Sequence, residues 1–202
     1  MTATDPSLPE ILAECWQLLV RGGADRRSPL HTPSVVSIDA DGAPDARIMV
    51  LRKADPAAST LRFHTDARSP KCDALNGQRI AVLGYHPGQA VQLRLNGRAE
   101  VLTEGEEVDS AWARSTPFAR RCYLAQHPPG TPLRGPGSGL PEALEGLKPS
   151  EEQLIPARAH FALLVMTVDS IDWLHLAQGG HRRVLFMRDG AESGWVAEWV
   201  VP

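Results

Sequence analysis

The hydrophobic and polar positions change period several times along the chain, and each change marks an element. Between residues 9 and 21, Ile11, Leu12, Cys15, Trp16, Leu18 and Leu19 recur at helical spacing. They predict an amphipathic N-terminal helix that starts at Ser7 or Pro9 and stops at Gly22-Gly23. Beyond it the period falls to two. Ser34-Val35-Val36-Ser37-Ile38 and residues 47–52 predict two strands joined by a turn centred on Asp41-Gly42, and residues 60–65 predict a third. Residues 66–77 read as a short helix between strands, beginning near Ser69-Pro70 and ending at Gly77.

Further along, residues 79–85 and 90–102 are β-rich runs around the turn His86-Pro87-Gly88. Val91, Leu93 and Leu95 alternate with Gln92, Arg94 and Asn96, which puts Gln92 and Arg94 on one polar face. Residues 104–115 have helical composition, with Glu104, Glu106 and Glu107 at the end where the helix dipole favours negative charge. Residues 127–150 are crowded with Pro and Gly and predict a long loop. After it come four strands, at 161–168, 172–176, 184–188 and 195–200. They need partners from earlier in the chain, so the loop is an excursion within one domain spanning 1–202, serving as a lid or binding segment or simply as a flexible connection. Strands dominate and helices are few. The fold class is mainly β, a closed or nearly closed antiparallel barrel with peripheral α-helices.

Composition adds limits. The 202 residues are 43% hydrophobic and 22% charged, enough for one substantial core. A formal net charge of -3 opposes general nucleic-acid binding, which needs a dominant basic surface, and leaves small anionic ligands open. Cys15, Cys72 and Cys122 form no C-x-x-C pair, as expected of reduced thiols in a cytosol, and no zinc-ligand spacing is present. The N-terminus lacks the basic and apolar regions of a signal peptide, and no run is long enough to cross a bilayer, so a cytoplasmic protein is expected. Neither a Rossmann nor a P-loop glycine motif occurs.

The densest group of cations flanking strands is Arg47 and Arg52 on one side and Arg68, Ser69 and Lys71 on the other, separated by the strand ending at Thr65. Arg offers a planar fork of donors, Lys a point charge, and Ser and Thr hydroxyl groups, the composition a phosphate wants. By residue type alone the group reads first as a solvated charge cluster.

The order of these residues carries more. Arg47-Ile48-Met49-Val50-Leu51-Arg52, then Phe63-His64-Thr65-Asp66-Ala67-Arg68-Ser69-Pro70-Lys71, then Gln92-Leu93-Arg94, and finally Trp173 and Arg183 within DWLHLAQGGHRRVLF, together resemble the pyridoxamine 5'-phosphate oxidase family of FMN-binding split barrels. The resemblance runs from about Pro33 to Pro202. It implies an antiparallel Greek-key split barrel that works as a homodimer with FMN between protomers. It also implies that Arg47 and Lys71 bind the FMN phosphate, helped by Ser69, Thr65 and, less directly, Arg68. Ile48, Met49 and Val50 would pass beside the isoalloxazine, Gln92 would hydrogen-bond the ring or ribityl edge, and Trp173 and Arg183 would come from the second subunit. Taken singly, Trp173 is also a core anchor, Gln92 an exposed strand residue and Arg183 a surface charge.

The departures from the family pattern fall at the substrate. Arg52 stands where the family has a lysine, Trp112, Thr116 and Arg120 stand near its tyrosine, arginine and serine, and Gly179 replaces an arginine while His181 is retained. Arg52, Arg120 and His181 are therefore the candidates for holding a small anionic substrate, His181 being read as substrate-facing because Trp173 and Arg183 keep their spacing, with an exposed histidine as the alternative. The function implied is that of an FMN-dependent oxidoreductase with an altered substrate site. The alternatives are a flavin-binding or sensor protein without turnover, and a split barrel that holds another cofactor such as haem or a deazaflavin.

Overall fold

The computed structural model describes residues 6–190 and 194–202. Helix α1, Leu8–Ala24, buries Ile11, Cys15, Leu18 and Leu19. It runs through the glycines that were expected to stop it. The reason is packing: a Cβ on Gly22 would lie 2.7 Å from the carbonyl oxygen of Leu30, so glycine here permits a close approach instead of ending the helix. The following strands are β1 (Ser34–Ile38), β2 (Pro44–Ile48), β3 (Leu51–Asp55), β4 (Thr60–Asp66), β5 (Arg79–His86), β6 (Val91–Leu102), β7 (Phe161–His175), β8 (Arg182–Arg188) and β9 (Trp195–Val200). Between them lie α2 (Lys71–Leu75), α3 (Glu106–Arg114), α4 (Pro117–Arg120) and α5 (Glu151–Leu154). The 127–150 segment is irregular apart from a 3-10 turn at Glu142–Leu144.

All pairings are antiparallel, in the order β2-β1-β5-β6-β7-β4-β3, and β8 and β9 extend from β7. Strand β7 organises this arrangement. One edge pairs with β6 along almost its whole length, whereas the other pairs with β4 over its first half and β8 over its second. The sheet thus divides into two lobes that share the β6–β7 ribbon. Its end strands β2 and β3 do not pair, so among the described residues the expected barrel is an unclosed sheet.

Two other expectations change for related reasons. Residues 47–52 are not one strand, because β2 pairs with β1 and β3 with β4 at opposite ends of the strand order. The chain crosses between them at Met49-Val50, where the Met49 N–H donates to the Pro33 carbonyl at 3.1 Å and its side chain enters the core. Conversely, 161–168 and 172–176 join as the single strand β7. Its polar middle, Asp169-Ser170, is held by Arg79 on Asp169 at 3.0 Å and Asn96 on Ser170 at 3.2 Å. The β6–β7 register shifts here, between Asn96 and Gly97. A Cβ on Gly97 would lie 2.0 Å from the Thr167 carbonyl oxygen, so the junction admits only glycine without rearrangement. The predicted 66–77 helix shrinks to α2, beginning after Pro70.

The main core lies between α1 and the inner face of the sheet, with Val35, Leu51, Leu61, Phe63, Leu93, Leu95, Ile171 and Phe186 at its centre. A smaller cluster of Val108, Tyr123, Leu154, Ala157, Phe161 and Leu163 sits beneath α3 and α5. Its rings meet edge-on, with Tyr123 and Phe161 centroids 5.2 Å apart, a geometry favoured by the aromatic quadrupole. No helix among the described residues is long and apolar enough to cross a membrane.

Candidate cofactor site

The turn from β4 into α2 is fixed by its own backbone. Ser69 N donates to the Asp66 carbonyl at 3.0 Å, Cys72 N to the Ser69 carbonyl at 2.9 Å, and Ala67 N to the His160 carbonyl at 2.8 Å. This rigid corner carries Thr65, Ser69 and Lys71, which sequence order had grouped. Lys71 Nζ lies 3.4 Å from Ser69 Oγ, and Thr65 Oγ1 lies 3.9 Å from Cys72 Sγ. Burial pushes the Cys72 thiol up, so at neutral pH it remains a neutral donor, to the Asp66 carbonyl at 3.2 Å. Thr65 and Lys71 line a cavity of about 460 Å³ closed on its far side by Tyr123 and by residues of the Pro/Gly-rich loop, among them Pro128, Gly130 and Gly139.

Arg68 is not available to this cavity as a free cation. Its guanidinium forks onto Asp66 at 2.7 and 3.0 Å and reaches the Ala125 carbonyl at 2.9 Å. It acts as a strut between the corner and the chain that leads into the loop. Arg47, on β2, donates to Ser37 Oγ at 2.9 Å and pairs with Asp45. Asp45 and Lys71 line a second cavity, of about 890 Å³, on the other side of α2. Lys71 therefore borders both spaces, and Arg47 reaches the second through its partner Asp45.

The remaining expected residues are distributed by strand register. Directly paired residues share a face, so Gln92, Leu174 and Arg183 lie together on the outer face with Arg94, Asp172 and Ile48. Here the structure reveals a group that sequence order did not suggest. Asp172, only 4% exposed, accepts from Arg183 at 2.8 and 2.9 Å and also pairs with Arg94. Burial pushes its carboxyl up, but hydrogen bonds from Arg183 and Arg94 outweigh that and hold it below its usual range. Trp173 points the other way. It is 4% exposed in the core, its ring edge-on to Trp199 at 6.5 Å, and its Nε1 is buried without a partner among the described residues. Ile48 is 64% exposed, whereas Met49 is buried.

The three substrate candidates do not converge. Arg52 lines a cleft of about 590 Å³ between β3, β4 and α3, together with Arg26, Lys53, Arg62, His64, Arg114 and Thr116. Arg120 is absent from that lining. Its guanidinium is buried on the Ser115 carbonyl at 2.7 Å and Glu151 at 2.8 Å, and lies 5.2 Å from the Trp112 ring centroid. His181 is exposed in the β7–β8 connection beside Gly179, where an added Cβ would meet nothing within 4 Å. His64 borders both this cleft and the 460 Å³ cavity, and burial, helped by the charge of Arg52, lowers its pKa to about 4. Alternation along β4 places Arg62 and His64 on one face, a signal already present in the sequence. Nothing local announces Arg26 and Arg114.

The sheet is thus split into two lobes around the shared β6–β7 ribbon, with a cation-bearing corner at the end of β4. Solved structures share this fold. A pyridoxamine 5'-phosphate oxidase-related, FMN-binding protein from Nostoc punctiforme superposes with a TM-score of 0.72 at 23% identity, covering 94% of this chain and 96% of that one. PhzG from Burkholderia lata, in complex with tetrahydrophenazine-1-carboxylic acid, superposes with a TM-score of 0.69 at 22% identity, covering 98% and 94%. In sequence, residues 14–103 match the family model described as pyridoxamine 5'-phosphate oxidase, FMN-binding domain. The pyridoxine/pyridoxamine 5'-phosphate oxidase of Caulobacter vibrioides is 30% identical over 194 residues, covering 91% of this chain and 81% of that protein. Pyridoxine/pyridoxamine 5'-phosphate oxidase 2 of Arabidopsis thaliana is 25% identical over 201 residues, covering 93% and 96%. The chain belongs to the pyridoxamine 5'-phosphate oxidase family.

Proposed function

We propose that the protein is an FMN-dependent oxidoreductase, acting as a cytoplasmic homodimer with FMN held between protomers and with a substrate site altered from that of the oxidases. The observation that carries this reading is the β4–α2 corner, where Lys71 Nζ has one distant hydroxyl partner at 3.4 Å and Thr65 and Ser69 stand beside it on a rigid backbone. A phosphate suits this donor set: an underused ammonium, neighbouring hydroxyls and a cavity at its edge. The partnerless Trp173 Nε1 is a further donor in keeping with a polar ligand or partner segment. Bound FMN would supply the hydride chemistry. The chain's own residues would do the rest. Arg47 and Lys71 neutralise the phosphate, Gln92 orients the ring or ribityl edge, and Asp172 fixes the direction in which Arg183 presents its guanidinium.

A second reading, a flavin-carrying protein without turnover, is favoured by Gly179, which leaves the β7–β8 connection without the arginine that the oxidases place there. Purification tests the flavin that both readings share. A yellow protein whose released chromophore is FMN supports the first claim, and a colourless protein that takes up no added FMN overturns it. If flavin binds, anaerobic reduction by pyridoxamine 5'-phosphate or by a nicotinamide donor identifies an oxidase or a reductase. Reduction by neither favours the carrier.

A further inference from the structure

The cleft beside Arg52 holds an unusual accumulation of positive charge. Five cationic side chains line it, Arg26, Arg52, Lys53, Arg62 and Arg114, with no carboxylate in the lining among the described residues. They arrive from the turn after α1, from β3, from β4 and from the last turn of α3. Two are neutralised from outside, Lys53 by Asp55 at 2.9 Å and Arg62 by Glu107. Arg26, Arg52 and Arg114 make no ion pair or hydrogen bond with any described residue, and Arg62 Nε is buried without an acceptor. In a chain of net charge -3 such convergence does not follow from composition. Like charges in one cleft repel, and an anion seated among them relieves that repulsion and meets the orphan donor. The pKa of His64, lowered to about 4 chiefly by burial, is lowered further by the charge of Arg52 in this cleft.

We propose that this cleft binds a small polyanion carrying two or more phosphate or carboxylate groups, with Arg26 and Arg114 as the residues that set the preference for more than one. The volume of about 590 Å³ fits a small molecule. Three unneutralised cations exceed the need of a single anionic group, and Arg26 and Arg114 approach from different elements, so they engage groups that are separated in space. As the substrate pocket of a flavoenzyme the assignment rests on the proposed function. As a binding site it stands on the cleft alone.

Calorimetric titration of the FMN-saturated protein at low salt tests it, using inorganic pyrophosphate, citrate and inorganic phosphate as probes. Pyrophosphate, citrate or both are expected to bind at least about tenfold tighter than phosphate, and whichever does so identifies the anionic group preferred. Arg26→Ala and Arg114→Ala should each reduce that affinity about tenfold, Arg26→Lys should recover most of it, and Lys148→Ala, at an exposed cation outside the cleft lining, should leave it within about twofold. Both arginines are exposed, so the variants should keep the thermal midpoint of the parent. Equal affinity for all three probes, or variants that bind like the parent, overturn the proposal. The failures are separable. Protein that takes up no FMN yet keeps the Arg26- and Arg114-dependent preference loses the flavin reading alone. Protein that binds FMN but lacks the preference loses the cleft assignment alone.

Discussion

Lys71 and Arg47 carry the same formal charge in different circumstances. Among the described residues the Lys71 ammonium has a single partner, at 3.4 Å, whereas the Arg47 guanidinium is divided among Asp45, Ser37 and the Val35 carbonyl. A phosphate therefore gains more at once from Lys71, and Arg47 must give up Asp45 to contribute fully. Lys71→Ala should weaken FMN binding by about tenfold to a hundredfold, as expected for a lost charge-assisted contact, and Arg47→Ala by less. Arg158→Ala, which only releases Asp109 and the Thr103 carbonyl, should leave it unchanged. Flavin fluorescence titration measures all three, and equal losses would misplace the phosphate. Gly179→Arg probes the other end of the site. Nothing within 4 Å opposes a side chain there, so the variant should fold normally and raise affinity for pyridoxamine 5'-phosphate, read by equilibrium binding.

His64 makes a prediction of different kind at the same scale. Its pKa falls from an ordinary 6.5 to about 4 in the folded protein through burial and the charge of Arg52. Between those values the unfolded chain binds a proton that the folded chain does not, so stability rises with pH across this window. The folded state should lose up to about 3 kcal/mol as pH falls from 6.5 to 4. Urea unfolding at stepped pH gives the slope, and His64→Gln should flatten it. Asp172 adds a separate loss further down. With its folded pKa held low, its contribution is present above the ordinary carboxylate value and disappears as pH falls through the depressed one.

At the scale of elements, the β6–β7 ribbon is the part on which the rest depends, because both lobes pair through it. Gly97 sits at its register shift with the Thr167 carbonyl where a Cβ would go, and backbone cannot swing aside as a side chain can. Gly97→Ala should cost about 3 kcal/mol and lower the thermal midpoint by roughly 6–12 °C, measured by scanning calorimetry. This junction also shows what was legible. The alternation of Val91, Leu93 and Leu95 identified β6 because burial imposes a period of two on residues adjacent in sequence. The same rule misread Asp169-Ser170 as a break, since their partners Arg79 and Asn96 are supplied by neighbouring strands. The grouping at the β4–α2 corner was legible for the first reason: Thr65, Ser69 and Lys71 lie within seven residues on one turn. The partners of Arg120 were not legible, for the second. Glu151, which fixes it, is 31 positions away, and the meeting of Arg26, Arg52 and Arg114 is likewise a product of packing that no local spacing encodes.

For the whole molecule the outer sheet face sets the question. Register places Ile48, Leu83 and Leu185 in one row across β2, β5 and β8, and Tyr85 and Leu174 in the next, around the Arg94–Asp172–Arg183 group. Ile48 is 64% exposed, Met187 54% and Tyr85 46%, and β5 and β8 bury their opposite face. A wide apolar face with one satisfied charge cluster at its centre is costly in water and suits a second protomer. The expected residues Ile48, Gln92 and Arg183 all lie on it, so pairing of two such faces would enclose a flavin between contributions from both chains. Met187→Glu and Leu83→Glu place a charge where a twofold contact meets it twice, and each should raise the dimer dissociation constant at least about a hundredfold. Sedimentation would then report monomers at concentrations where the parent is dimeric, and FMN affinity would fall with them. Ile155→Glu, at a more exposed apolar residue on the 3-10 turn after α5 and away from this face, should change neither. Monomeric parent protein that retains tight FMN binding would remove the interface from the cofactor site and leave the β4–α2 corner to hold the flavin alone.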